Sequence, residues 1–141
     1  MPRGEATQQV DQVGTDISYS GTERILFVDD EETITRVSKQ LLESIGYTVV
    51  DTTSSQKALD LFASEPDEFD LVVTDQTMPS MTGDELVTEL LAVRPDVPII
   101  LCTGFSDRID ETEAHRLGVR HYLTKPTSLS TLSETIRAVL D

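Results

Sequence analysis

Five polar residues follow short apolar runs in this 141-residue sequence, and together they could carry out phosphoryl chemistry: Asp29, Asp30, Asp75, Thr103 and Lys125. Three carboxylates that meet repel one another by ~4 kcal/mol per pair, taking 4 Å and an effective dielectric near 20. Such a group persists where a divalent cation relieves the repulsion. Oxygen ligands without a neighbouring His or Cys favour Mg²⁺ or a similar hard ion.

A cation, an ammonium and a hydroxyl around one carboxylate would stabilise the spread charge of a transferring phosphoryl group. Asp75 itself could accept that group as an aspartyl phosphate. Each residue also has an ordinary interpretation. Asp30 could cap the helix that follows it, Asp75 could be a loop acid at a strand end, and Lys125 could be an exposed lysine. Their joint placement favours the chemical interpretation.

The elements that must position these residues alternate regularly along the chain. Apolar runs predict strands at 25–28, 47–50, 71–74, 98–103 and 119–123, and helical spacing predicts helices from about 31 to 45, 54–65, 82–94, 107–117 and near the end. This alternation predicts an α/β fold with parallel strands and helices on both faces. In the flavodoxin-like order 2-1-3-4-5, all five polar residues converge on one edge of the sheet.

Composition sets limits on the setting and the partners. The single cysteine cannot form an internal disulfide, no signal-peptide pattern is present, and no apolar run approaches ~20 residues. We therefore predict a cytoplasmic protein without membrane contact. The formal net charge of −15 disfavours nucleic acid as a partner. Residues 1–22 lack a sustained period and predict a flexible tail or linker before a domain at 23–141.

Four strings occur in the order and spacing of a known family: ILFVDDEE, LVVTDQTMP, PIILCTG and YLTKP. Over residues 24–141 the chain resembles the receiver domain of two-component response regulators. The resemblance implies that Asp75 is the phosphoacceptor, taking its phosphoryl group from a sensor histidine kinase or a histidine phosphotransfer protein. It also implies a Mg²⁺ site, with Mn²⁺ as a substitute. The implied ligands are Asp29 (largely through water), Asp30, Asp75 and the backbone carbonyl of Thr77.

The same resemblance implies a switch and a control of phosphoryl lifetime. Lys125 would bind the phosphoryl group and Thr103 would turn toward it. Tyr122 would then move inward, and the surface of the fourth helix, fifth strand and fifth helix would change. Thr77 and Phe105 would line the approach of a hydrolytic water. Because Phe105 offers no hydrogen bond to orient that water, we expect slow hydrolysis.

Other functions remain open at this stage. An interaction module could keep the fold without accepting phosphate. A haloacid dehalogenase-like phosphatase also forms an aspartyl phosphate, but it needs an Asp-x-Asp pattern on its first strand, where this chain has adjacent Asp29 and Asp30. A receiver is a phosphoacceptor with self-phosphorylation and self-dephosphorylation chemistry rather than a turnover enzyme.

The end of the sequence after its fifth helix is expected of a single-domain regulator or of a receiver from a hybrid histidine kinase. The polar tail in front and the string LCTGFSDRID resemble the C-terminal receivers of hybrid kinases, and we favour that origin. We expect a monomer or weak dimer. Cys102 is expected to face away from the acidic residues, because it alternates with Thr103 along its strand.

Overall fold

Parallel strands form the centre of the structure, a computed structural model that describes residues 20–104, 110–125 and 128–141. The strands pair in the order β2-β1-β3-β4-β5, which confirms the predicted doubly wound topology. Their bounds are β1 Arg24–Val28, β2 Thr48–Thr52, β3 Leu71–Asp75, β4 Ile99–Thr103 and β5 His121–Thr124. All four pairings are parallel.

Helices connect the strands and cover both faces of the sheet. They are α1 Glu32–Ser44, α2 Ser55–Ser64, α3 Gly83–Val93, α4 Glu111–Leu117 and α5 Leu129–Leu140, with a 3₁₀ turn at Pro66–Glu68. α1 ends before Gly46, whose φ of 108° is a left-handed conformation that glycine adopts at little cost. The N-cap side chain of Ser54 accepts a hydrogen bond from the backbone N–H of Lys57 at the start of α2.

The side chains of the strands alternate between two cores, as the pleat of a sheet requires. One core lies under α2, α3 and α4 and contains Leu26, Val72 and Leu101. The other lies under α1 and α5 and contains Phe27 and Val73. Because helices cover both faces, the central strands are apolar without alternation, as predicted for a parallel sheet.

Some element boundaries differ from the predicted ones. β2 continues to Thr52, because Asp51 and Thr52 pair with Phe27 and Val28 of β1 although their side chains look like loop residues. β5 begins at His121 rather than at residue 119. α4 begins at Glu111, where the side chain of its N-cap residue accepts a hydrogen bond from a backbone N–H.

An arginine on α5 joins several elements at the amino edge of the sheet. The Arg137 guanidinium donates to the carboxylates of Glu23 and Asp141, to the carbonyl of Ser20 and to the hydroxyl of Tyr47. The two hydrogen bonds to Glu23 are 2.8 and 2.9 Å long. The start of the domain and the end of α5 are therefore held together at the edge opposite to the strand ends that carry Asp29 and Asp75.

None of the helices within the described residues is long and apolar enough to cross a membrane.

Candidate active site

Three carboxylates meet at the carboxyl ends of β1 and β3. Asp29 follows β1 and Asp75 is the last residue of β3; both are buried, with exposed fractions of 2% and 5%. Asp30 is exposed beside them. One oxygen of each carboxylate lies within 4.8 Å of the other two. The three carboxylates of the predicted set therefore meet in the structure.

Asp30 does not cap the following helix. The N-cap residue of α1 is Glu31, which makes no side-chain capping bond. The Glu31 N–H donates instead to Oδ1 of Asp29 at 3.0 Å. The capping interpretation of Asp30 is thus wrong, and its carboxylate is left facing solvent at the acidic cluster.

Lys125 brings a positive charge into the cluster from the end of β5. Its Nζ lies 2.9 Å from Oδ2 of Asp29 and 3.2 Å from Oδ1 of Asp75. Its backbone N–H donates to the carbonyl of Thr103 at 2.7 Å, which fixes the start of the loop after β5. Burial alone would lower the pKa of Lys125, but hydrogen bonding and the charges of Asp29 and Asp75 outweigh it and raise that pKa. The Lys125 ammonium is therefore charged at neutral pH.

The environment of Asp75 disfavours its charged form. Burial, followed by the charge of Asp29, raises its pKa from the usual 3.8 to about 6, although Lys125 opposes the shift. A carboxylate crowded in this way, among oxygen ligands only, fits a hard divalent cation. The three carboxylates present are thus a suitable donor set for Mg²⁺.

The raised pKa of Asp75 predicts how the stability of the metal-free protein depends on pH. The native state holds the Asp75 proton more tightly than the unfolded chain does. Its stabilising contribution is complete below pH 3.8 and is lost as pH rises through about 6. In a chelator, the free energy of unfolding of wild type minus that of Asp75→Asn should fall by about 2–3 kcal/mol between pH 4 and pH 7.5. Urea unfolding of both proteins measures this difference, and a pH-independent value would contradict the prediction.

The two residues of the predicted switch lie on neighbouring strands: Thr103 is the last residue of β4, and Tyr122 is the second residue of β5, where it pairs with Leu101. Thr103 is fully buried, and its hydroxyl has no hydrogen-bond partner among the residues that the structure describes. Tyr122 is half-buried and packs against the core under α2, α3 and α4. Because this hydroxyl is buried and unpaired among the described residues, gaining an acceptor would recover its desolvation cost.

Cys102 does not face away from the site, and that prediction is wrong. It is paired in register with Asp75 and lines the same cavity of about 420 Å³ as Asp29, Asp75 and Lys125. Thr103 is the residue on the other face of β4. Burial raises the pKa of the Cys102 thiol to about 12, so an uncharged thiol lines the cavity at this position.

The loop from β3 to α3 contains a contact that the sequence analysis missed. The Gln76 amide lies against the first turn of α3: its Oε1 accepts from the backbone N–H of Asp84 at 2.8 Å, and its Nε2 donates to Oδ1 of Asp84 at 2.9 Å. Burial works against ionisation of Asp84, but hydrogen bonds from Thr82, Gln76 and backbone N–H groups outweigh it and lower its pKa. Thr77, between Gln76 and the buried Met78, is exposed.

Two predictions concern residues that the structure does not describe. Phe105, expected to slow hydrolysis, lies outside the described ranges, as does most of the predicted tail at 1–22. Both remain predictions.

Comparisons with known proteins agree with this geometry. The family model described as "Response regulator receiver domain" matches residues 25–137. The solved receiver domain protein from Clostridium thermocellum is 33% identical and superposes with a TM-score of 0.80, covering 84% of this chain and 94% of that one.

Curated relatives include proteins of two kinds. A probable transcriptional regulator, ycf27 of Guillardia theta, is 38% identical over 125 residues, which are 89% of this chain and 48% of the relative. Sensor kinase CckA of Brucella abortus is 33% identical over 127 residues, or 90% of this chain and 13% of the kinase. The chain thus spans about half the length of the first of these relatives and a small part of the second.

Proposed function

The chain belongs to the response regulator receiver domain family, and we propose that it is a phosphoacceptor in a cytoplasmic two-component phosphorelay, with Asp75 taking the phosphoryl group from a phosphohistidine. The observation that carries the proposal is the meeting of three carboxylates within 4.8 Å, with the Lys125 ammonium 3.2 Å from Asp75. No other acidic group of this kind occurs among the described residues.

The proposed reaction is a direct transfer between two side chains. An oxygen of the ionised Asp75 attacks the phosphorus, an O–P bond forms, and the N–P bond to the donor imidazole breaks with its electron pair returning to nitrogen. The donor leaves as a neutral imidazole after taking up a proton. Lys125, already hydrogen-bonded within the site, neutralises charge that develops on a phosphoryl oxygen.

Mg²⁺ is the proposed cofactor, and Mn²⁺ should substitute for it. Asp30 and Asp75 would bind it directly, Asp29 largely through water, and Thr77 through its backbone carbonyl. When bound, the ion would offset the carboxylate charges and the charge on the phosphoryl oxygens. The raised pKa of Asp75 supports this, because burial and the charge of Asp29 disfavour its carboxylate, and a bound cation would offset that cost.

The proposed output is a change in the surface formed by α4, β5 and α5. The hydroxyl of Thr103, which is buried and has no partner within the described residues, would turn and donate to the new phosphoryl group, and Tyr122 would occupy the space that it leaves. Among the helices that the structure describes, α4 is the shortest α-helix, with seven residues and only Ala114 buried, so packing holds it least.

Partners are proposed from the same chemistry. A phosphohistidine on a sensor kinase or a phosphotransfer protein is the donor, and the net charge of −15 disfavours nucleic acid. Both a transcriptional regulator and a sensor kinase share this domain type.

We also propose that Phe105 slows hydrolysis of the phosphoryl group on Asp75. The Phe105→Glu variant should then release phosphate faster than wild type once the donor is removed.

Acetyl phosphate with Mg²⁺, followed by intact-mass measurement, tests the proposed function. A receiver gains one phosphoryl group per chain and loses it when the donor is removed. A phosphatase would instead release phosphate continuously without a stable mass increase. An interaction module without phosphoacceptor activity would do neither, and either of these results would reject the proposal.

A further inference from the structure

The residue after the proposed nucleophile is tied to α3 through both its side chain and its backbone. The Gln76 amide makes the two hydrogen bonds to Asp84 described above, and its backbone carbonyl accepts from the N–H of Gly83 at 2.9 Å. Its N–H donates to the carbonyl of Cys102 at 2.9 Å and so extends the pairing of β3 with β4. Four hydrogen bonds therefore fix both the position and the orientation of this residue.

Gln76 and the first turn of α3 are closely packed. A Cβ at Gly83 would collide with the backbone carbonyl of Asp75 and lie 2.8 Å from Cα of Gln76. The first turn of α3 thus packs directly on the backbone of the nucleophile strand. The loop of residues 77–82 therefore leaves β3 and enters α3 at the same point, where Gln76 contacts Gly83.

Thr77 lies between two anchored neighbours. On one side is Gln76. On the other is Met78, which is buried and whose sulfur accepts from the hydroxyl of Ser55 at 3.5 Å. The same hydroxyl lies 2.7 Å from the carbonyl of Met81, farther along the loop. Thr77 itself is exposed at the acidic edge.

We propose that Gln76 and Asp84 form a clamp that positions the Thr77 carbonyl for the divalent cation, so that Gln76 sets metal affinity without touching the metal. This inference rests on the proposed function, since it assumes a Mg²⁺ site at Asp30 and Asp75. Residues that orient metal ligands typically affect metal affinity by 10–100-fold when replaced. Gln76 is thus a positioning residue, and its effect should appear in metal binding before it appears in chemistry.

Gln76→Ala should weaken Mg²⁺ binding by about tenfold, because the peptide that carries the Thr77 carbonyl gains freedom. Calorimetric titration of Mg²⁺ into the full chain measures this directly. With acetyl phosphate as donor, the Mg²⁺ concentration for half-maximal phosphorylation should rise by the same factor. The rate at saturating Mg²⁺ should stay within about twofold, since the nucleophile and Lys125 are intact.

Two variants of Asp84 separate geometry from charge. Asp84→Asn keeps an oxygen that can accept from Gln76 and removes the charge, whereas Asp84→Ala removes both. If the clamp acts through geometry, Asp84→Asn should bind Mg²⁺ within twofold of wild type. Asp84→Ala should bind more weakly than Asp84→Asn but no more weakly than Gln76→Ala, because the backbone N–H of residue 84 can still donate to Oε1 of Gln76. The double variant Gln76→Ala with Asp84→Ala should bind Mg²⁺ no more weakly than Gln76→Ala alone, because Gln76→Ala already removes both hydrogen bonds to residue 84.

A matched control is available on α2, where Gln56 donates to Asp60 at 3.1 Å on an exposed surface. Gln56→Ala should leave Mg²⁺ affinity unchanged. Equal Mg²⁺ affinity in Gln76→Ala and wild type overturns the clamp while leaving the proposed function in place. Equal losses in Asp84→Asn and Asp84→Ala overturn it too, because charge alone would then explain them. Absence of Mg²⁺ binding by the wild type rejects the metal site and the clamp together.

Discussion

Asp75→Asn is expected to abolish phosphoryl uptake from acetyl phosphate while the fold remains intact. The carboxylate is the only nucleophilic group proposed at the site, and an amide oxygen cannot form a stable acyl phosphate with the same donor. The substitution also removes one negative charge from a cluster in which burial and the charge of Asp29 raise the pKa of Asp75. The metal-free variant should therefore be at least as stable as wild type at neutral pH.

Intact-mass measurement after incubation with acetyl phosphate and Mg²⁺ tests phosphoryl uptake by this variant. Urea unfolding measures the stability of the metal-free variant. Asp60→Asn is a suitable control, because Asp60 is an exposed acid on α2 whose side chain bonds only to the neighbouring Gln56 in the contacts described. It should accept phosphate at the wild-type rate. One phosphoryl group on Asp75→Asn at that rate would show that the acceptor is another residue.

Mg²⁺ is expected to raise the melting temperature of the wild type by several degrees. Ligand binding to the native state alone stabilises it by about 2.7 kcal/mol when the free ion is 100-fold above its Kd. Most of this shift should be lost in Asp30→Asn, which removes a proposed direct ligand. Because Asp30 is exposed and makes no helix cap, its substitution should change metal-free stability little.

The sequence contains no tryptophan, so calorimetry is the suitable readout for this shift. NaCl at matched ionic strength provides the control for general screening of the acidic surface. A melting temperature that rises equally with Mg²⁺ and with matched NaCl would contradict a specific site. A full Mg²⁺ shift in Asp30→Asn would remove Asp30 from the ligand set.

The elements and the acidic cluster were predictable because they depend on local patterns and on one topological rule. Apolar runs separated by amphipathic segments predict parallel strands, and parallel strands bring their carboxyl ends to one edge. Asp29, Asp30, Asp75 and Lys125 therefore meet in the structure although up to 96 positions separate them.

The features that the sequence did not predict depend on the register between strands and on how a loop folds back. Cys102 was placed on the wrong face because alternation with Thr103 does not say which of the two faces Asp75. The pairing of Asp75 with Cys102 settles this, and it is a property of two strands rather than one. The hydrogen bonds between Gln76 and Asp84 join residues eight positions apart with no shared period. They form only because Gly83 lets α3 approach the end of β3.

The Arg137 contacts have a consequence for how this domain can be joined to others. One guanidinium reaches both the Ser20 carbonyl, at 3.1 Å, and the Asp141 carboxylate, at 2.7 Å. The two ends of the described fold are therefore neighbours, on the side of the sheet remote from Asp75. Domains with adjacent ends tolerate circular permutation and insertion into host proteins. A short linker could thus close residue 141 onto residue 20 and move the chain ends to an exposed loop without rearranging the acidic cluster.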